Sequence, residues 1–213
     1  MHARLWLRAF HEGSNMDESV AKRLYEGVRK AYSAAAESPS GEHPFPVGRA
    51  FAESIGYPTE LLDSVSASAS EAFAGVSNVS LYAEIPEGST ILDLGCGAGL
   101  DALIAARRTG PAGRVIGVDF SGSMLDRARQ AAREAGFSHI EFHESPAERL
   151  PLKDAEVDVA MVNGIFNLNP HRAAIFRELS RVVRRGGHVY AAELILIKPI
   201  ADASPSTEDD WFA

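Results

Sequence analysis

The stretch Ile91-Leu92-Asp93-Leu94-Gly95-Cys96-Gly97-Ala98-Gly99-Leu100-Asp101, followed by Val115-Ile116-Gly117-Val118-Asp119, decides how this chain folds. A short apolar run ends in glycines, and residues from Asp101 to Arg108 then read as a helix stopped by Gly110-Pro111. Glycines between the carboxyl end of a strand and the amino end of a helix let a ligand approach the backbone closely. Asp119 lies twenty residues past Gly99, at the end of the next predicted strand. A carboxylate there can accept two hydrogen bonds from a ribose diol.

Working outward, the pattern repeats. Strands are predicted at residues 91–94, 114–119, 140–143, 157–162 and 188–197. Ser121 caps a helix running to about Glu134, where Gly136 stops it. Asn169-Pro170 reads as an N-cap with proline at the first helical position, opening a helix with Ile175, Leu179, Val182 and Val183 on one face and Gly186-Gly187 at its end. Apolar strands alternating with helices predict an α/β fold, a doubly wound Rossmann-like parallel sheet. Upstream, residues 17–36 form an amphipathic helix on Val20, Leu24 and Val28, with Tyr25 and Tyr32 one heptad apart. Residues 42–88 are mixed, with a short helix starting at Pro58-Thr59-Glu60.

Composition bounds the function. The chain has 213 residues, an average apolar share of 46%, and 21 Lys and Arg against 29 acids, for a net charge of -8. Such a balance argues against a nucleic-acid partner, which needs clustered cations. Cys96 is the one cysteine, so neither an internal disulfide nor a cysteine-rich zinc site is available. That usage points to a reducing, cytoplasmic location. The apolar run from Val189 to Ile197 carries Glu193 and falls short of the ~20 residues of a membrane span.

Gly97-Ala98-Gly99-Leu100-Asp101-Ala102 also satisfies the dinucleotide pattern G-x-G-x-x-A. Two acids around that loop, Asp93 and Asp101, disfavour a diphosphate and favour a ligand with a cationic end. S-adenosylmethionine has a sulfonium, an ammonium and no phosphate.

Asp93-Leu94-Gly95-Cys96-Gly97-Ala98-Gly99 resembles the first motif of class I S-adenosylmethionine-dependent methyltransferases, and Val118-Asp119-Phe120-Ser121-Gly122-Ser123-Met124-Leu125 resembles their second. The resemblance implies S-adenosyl-L-methionine as cofactor. The glycine loop (Asp93, Gly95, Gly97, Gly99, with Cys96 as a small neighbour) would meet its methionine part, Asp119 the ribose, and Phe120 and Met124 the adenine. Ala147-Glu148-Arg149-Leu150-Pro151 is similar to the segment near the adenine edge, although Pro146 stands where an acid usually meets the adenine amine. Residues 158–168, together with Phe176-Arg177-Glu178 and Arg184-Arg185-Gly186-Gly187, look like the arsenite methyltransferase group, and Asn163 among them joins Ala147 and Glu148 as a further candidate for cofactor binding. So do Val28-Arg29-Lys30-Ala31-Tyr32 and residues 73–78, which makes Tyr32 and the 75–78 loop candidate lid elements.

Two departures qualify the resemblance. Soft trivalent arsenic is held by thiolates, and the group's cysteine in Asn-Cys-x-x-Asn-Leu is replaced in Asn163-Gly164-Ile165-Phe166-Asn167-Leu168. The chain also ends soon after the fifth strand, without the hairpin usual in this class or the group's C-terminal region. An edge strand left open invites pairing, so a homodimer is one expectation. The expected division is an uncertain extension at 1–16, a helical lid at 17–88, the cofactor-binding domain at 89–200 and a tail at 201–213. The expected activity is methyl transfer to a small molecule, with a truncated, non-catalytic cofactor-binding module as the alternative. No metal is called for, and no catalytic base stands out. His171 reads as a helix histidine facing solvent, and Arg181, Arg184 and Arg185 as a solvated helix end.

Overall fold

The structure, a computed structural model, describes residues 18–195. The extension at 1–16 and the tail at 201–213 lie outside them, as does Ile197; the fifth strand ends at Ala192, short of the expected bound. Five parallel strands, β1 (Thr90–Leu94), β2 (Arg114–Asp119), β3 (Ile140–Glu144), β4 (Val157–Asn163) and β5 (Val183–Ala192), form one sheet in the order β3-β2-β1-β4-β5. The chain winds outward from β1 to β3 and then returns to place β4 on the other side of β1. Loops after β1 and β4 therefore leave in opposite directions and open a crevice at the carboxyl ends of the strands, where ligands sit in this architecture. The expected α/β fold is the one observed.

Both faces of the central strands β1, β2 and β4 are covered, which is why these strands carry nearly continuous apolar runs. Leu92, Leu94, Ile116, Val118, Ala160 and Val162 face α8 (Arg172–Val182), whose Ile175, Leu179 and Val182 are buried against them. Ile91, Val115, Val159 and Met161 point the other way, onto Ala102, Ala105 and Ala106 of α6 (Leu100–Thr109). The small alanines let that helix lie close to the sheet. Ser121 caps α7 (Gly122–Glu134) as expected, its hydroxyl accepting the Met124 N–H at 3.3 Å.

Before the sheet come α1 (Glu18–Glu37), α2 (Arg49–Ser54), α3 (Thr59–Asp63), α4 (Ala67–Ser70) and α5 (Val79–Tyr82). The first matches the predicted amphipathic helix, burying Ala21, Leu24 and Val28. It is tied to the domain by Ser33 Oγ, 2.9 Å from Ser121 Oγ, and by Tyr25 against Phe120.

Three expectations change. Asn169 does not open regular helix: its Oδ1 accepts the His171 N–H at 2.7 Å and a tight turn follows, so α8 begins at Arg172. Gly186-Gly187 does not end that helix. β5 starts at Val183, and residues 184–187 bulge out of its pairing, Val183 facing Val157 and His188 facing Val159. Gly186 takes a φ of +79° in the bulge. Nor are the arginines merely solvated: Arg181 holds Glu178 and Asp154 at 2.7 and 2.9 Å, and Arg184, in β5, pairs with Asp158. Among the described residues no helix is long and apolar enough to cross a membrane.

Candidate functional site

A cleft of about 980 Å³, open to solvent at its mouth, lies over the carboxyl ends of β1, β2 and β4. Asp93, Gly95, Cys96, Gly97, Asp119, Phe120, Met124, Ala147 and Asn163 line it, so most of the residues singled out in the sequence converge. Gly99 and Glu148 do not line it. Gly99 (φ +89°) sits against α7, where an added Cβ would lie 3.0 Å from Ala128 Cβ; its role is close packing of loop and helix. Glu148 turns toward Asn169, whose Nδ2 donates to its Oε1 at 2.9 Å.

Three buried carboxylates set the electrostatics. Asp93, at the end of β1, is 2% exposed, and its Oδ2 has no hydrogen-bond partner. Burial, then Asp101 and Asp119 nearby, hold its carboxyl well above the usual carboxylate range. Asp119 ends β2 with both oxygens engaged, Oδ2 accepting the Gly97 N–H at 2.9 Å and Oδ1 the Ser121 N–H at 2.8 Å. Burial raises it too, against the pull of those backbone donors. Asp101, read from the sequence as a repellent acid at the start of α6, is turned into a structural network. Its Oδ1 accepts the Tyr57 hydroxyl at 2.5 Å and its Oδ2 accepts Asn163 Nδ2 at 2.9 Å. No Lys, Arg or His lines the cleft among the described residues.

The backbone of the loop shapes the floor. Gly95 has a φ of +75°, and an added Cβ would collide with Ile165 of the loop after β4. Cys96 is buried with its Sγ over Gly117, and burial, with Asp119 and Asp93 close by, pushes its thiol up. It is therefore a neutral packing group and not a thiolate.

The roof comes from the N-terminal segment. Tyr25, Val28 and Tyr32 of α1 and Phe73 to Gly75 line the cleft, among them Tyr32 and Gly75 of the segments singled out in the sequence. Tyr32 stacks on Phe45 at 4.4 Å. Burial raises both phenols, so Tyr25 and Tyr32 are neutral hydroxyls at neutral pH. Sequence reading missed Tyr57, and held Phe73 and Ile165 only within segments 73–78 and 158–168, without a role of their own. Tyr57 lies in an irregular segment with no periodic signal, and only the fold brings it to Asp101.

Asn163 lines the cleft but does not offer its polar atoms to it. Its Oδ1 accepts the Val76 and Ser77 N–H groups at 2.9 and 3.1 Å, and its Nδ2 donates to Ser77 O and Asp101 Oδ2 at 2.7 and 2.9 Å. An amide has two acceptor lone pairs and two donors, so all four are spent.

Known proteins resemble a large part of this chain. Residues 85–211 match the family described as a methyltransferase domain. The arsenite methyltransferase of Halobacterium salinarum is 35% identical over 150 residues, 70% of this chain and 38% of that protein. The demethylmenaquinone methyltransferase of Lactococcus lactis is 35% identical over 106 residues, 50% of this chain and 42% of that protein. Among solved structures, an arsenic(III) S-adenosylmethionine methyltransferase from Chlamydomonas reinhardtii superposes with a TM-score of 0.52 at 30% identity, covering 68% of this chain and 48% of its own. The chain thus spans less than half the length of these relatives. Because that family match covers more than half of the chain, the chain belongs to the methyltransferase-domain family.

Proposed function

We propose that this chain binds S-adenosylmethionine across the carboxyl ends of β1 and β2 and transfers its methyl group to a small-molecule acceptor. The observation that carries the reading is Asp93 Oδ2, buried at the cleft and without a partner. An unpaired buried carboxylate oxygen is costly, and a ligand with a cationic end offsets that cost. Asp119 fits the ribose. Each of its oxygens holds one backbone N–H and keeps a further lone pair for one hydroxyl of a diol. Phe120, Met124 and Ala147 supply apolar surface for the base. A lining without cations among the described residues suits a cofactor without phosphates, and disfavours a dinucleotide.

When bound, the cofactor supplies a methyl carbon already activated by its sulfonium. The residues of the chain need only orient two ligands and exclude water, contributions that can reach effective molarities of ~10⁵ M or more. Asp93 and Asp119 fix the cofactor from the floor. Tyr25, Tyr32 and Phe73 close the roof and keep the acceptor side apolar. Lone, buried Cys96 cannot supply the thiolates that soft arsenic takes, so this reading favours an acceptor other than arsenite for this chain. We further infer a lid at 17–88 over a cofactor-binding domain at 89–200, a cytoplasmic location, and a second copy of the chain pairing at β5.

Calorimetric titration with S-adenosylmethionine tests the cofactor, and transfer of a labelled methyl group to a panel of phenols, amines and thiols tests the activity. Micromolar binding and product from one acceptor class are expected. A folded chain that does not bind would overturn the reading, and binding without product from any acceptor would return the chain to a non-catalytic module.

A further inference from the structure

We propose that Asn163 is a positioning residue: a latch that holds residues 75–78 against the carboxyl ends of the sheet and so keeps the wall of the cleft in place. The inference rests on the cofactor reading for its effect on ligand retention, and on geometry alone for the latch. Every polar atom of the Asn163 amide is used, three of its four hydrogen bonds going to the backbone of Val76 and Ser77. The fourth goes to Asp101, which starts the helix that follows the glycine loop. One side chain at the end of β4 therefore joins the wall segment to the floor.

Two glycines show how closely the segment rides on this support. An added Cβ at Gly75 would lie 2.6 Å from Asn163 Nδ2, and one at Gly164 would lie 2.9 Å from Val76 Cγ1. Gly75 itself lines the cleft, so a movement of the segment alters the wall directly. The groups around the amide make its chemistry specific. Asp101 faces it from α6, the Tyr57 hydroxyl is shared between Asp101 and Ser77 O, Tyr82 of α5 lies beside Ser77, and Asp93 at the end of β1 acts on Asp101 electrostatically. Only a group that accepts two N–H bonds on one side and donates two on the other satisfies this position. An aspartate would keep the acceptor side but would set a second carboxylate against Asp101, unless it carried a proton.

The test compares Asn163→Ala and Asn163→Asp with the parent. Amide hydrogen exchange at Val76 and Ser77 is read without ligand, and S-adenosylmethionine affinity is read at neutral and mildly acidic pH. Losing the latch should speed exchange at these two amides by about tenfold or more, while amides in the centre of the sheet keep their protection. In Asn163→Asp, protection and affinity should both recover in part as the pH falls and the new carboxyl gains its proton, since it then donates one hydrogen bond where the amide donates two. In Asn163→Ala neither should recover. Unchanged exchange at Val76 and Ser77 in the alanine variant would overturn the proposal. So would an aspartate variant whose pH profile matches that of the alanine variant. If the parent does not bind the cofactor, the proposed function fails, and the exchange data alone decide the latch.

Discussion

Asp119 Oδ2 accepts the Gly97 N–H at 2.9 Å, so the carboxylate that ends β2 is hydrogen-bonded to the glycine loop that follows β1. Ser121 N–H occupies the other oxygen at 2.8 Å, just where its hydroxyl caps α7. One buried acid thus sets the glycine loop, the helix start and the proposed ribose site relative to one another.

Replacing Asp119 with alanine should therefore act on both stability and binding. Two backbone donors lose a charged acceptor, each loss being worth about 1–3 kcal/mol. Urea unfolding should show a lower midpoint, and calorimetry should show S-adenosylmethionine binding weakened roughly 10- to 100-fold. An unchanged affinity in a folded variant would remove Asp119 from the cofactor site.

Gly95→Ala should cost more than an ordinary glycine substitution. The residue must keep a φ of +75°, which costs an alanine of order 1–3 kcal/mol, and its Cβ meets Ile165 as well. Pairing it with Ile165→Ala should relieve the collision and leave the backbone strain, so thermal melts of the double variant should recover only in part.

The pH dependence of Asp93 has a definite sign. Its folded carboxyl is raised above the unfolded value of 3.8, so the folded state binds the proton more tightly. The stability it withholds is absent below the unfolded value and grows as the pH rises through the window between the two values. Asp93→Asn should therefore raise the neutral-pH stability and flatten that part of the curve, while it weakens cofactor binding. Glu178 and Asp158, lowered by their arginine partners or backbone donors, act in the opposite sense at more acidic pH and should be unaffected. Denaturant melts across the acid range compare the two proteins.

Ser121→Ala should destabilise the domain by about 1–2 kcal/mol, near the upper end for a helix cap. The hydroxyl is fully buried and also meets Ser33 of α1, so its loss loosens the roof along with α7. The midpoint of unfolding and the exchange rate of the Met124 amide report the two effects separately.

Much of this architecture was legible before any coordinates. The core of the sheet could be read because strands buried on both faces must be apolar along their length, and because glycine and capping residues mark where each one turns. The glycine loop and Asp119 could be read because their chemistry is local to two strand ends. Residues 42–88 could not. They form helices of four to six residues, too short for a 3.6-residue period to show, and are held by distant partners such as Tyr57 on Asp101. The bulge at residues 184–187 was hidden for a related reason. A glycine pair reads as a helix stop until the neighbouring strand shows that pairing resumes beyond it.

The sequence by itself determined the elements of the α/β core, the winding of its first strands and the placing of Asp93 and Asp119 at two strand ends, because these follow from burial pattern and from residues adjacent in the chain. Only the tertiary structure decided what each polar group is free to do. Asp93 keeps an unpartnered oxygen at the cleft, whereas Asp101 and Asn163 have theirs consumed by Tyr57, Val76 and Ser77. Hydrogen-bond capacity is spent on whichever partner the fold brings within 3 Å or so, and those partners lie far away along the chain.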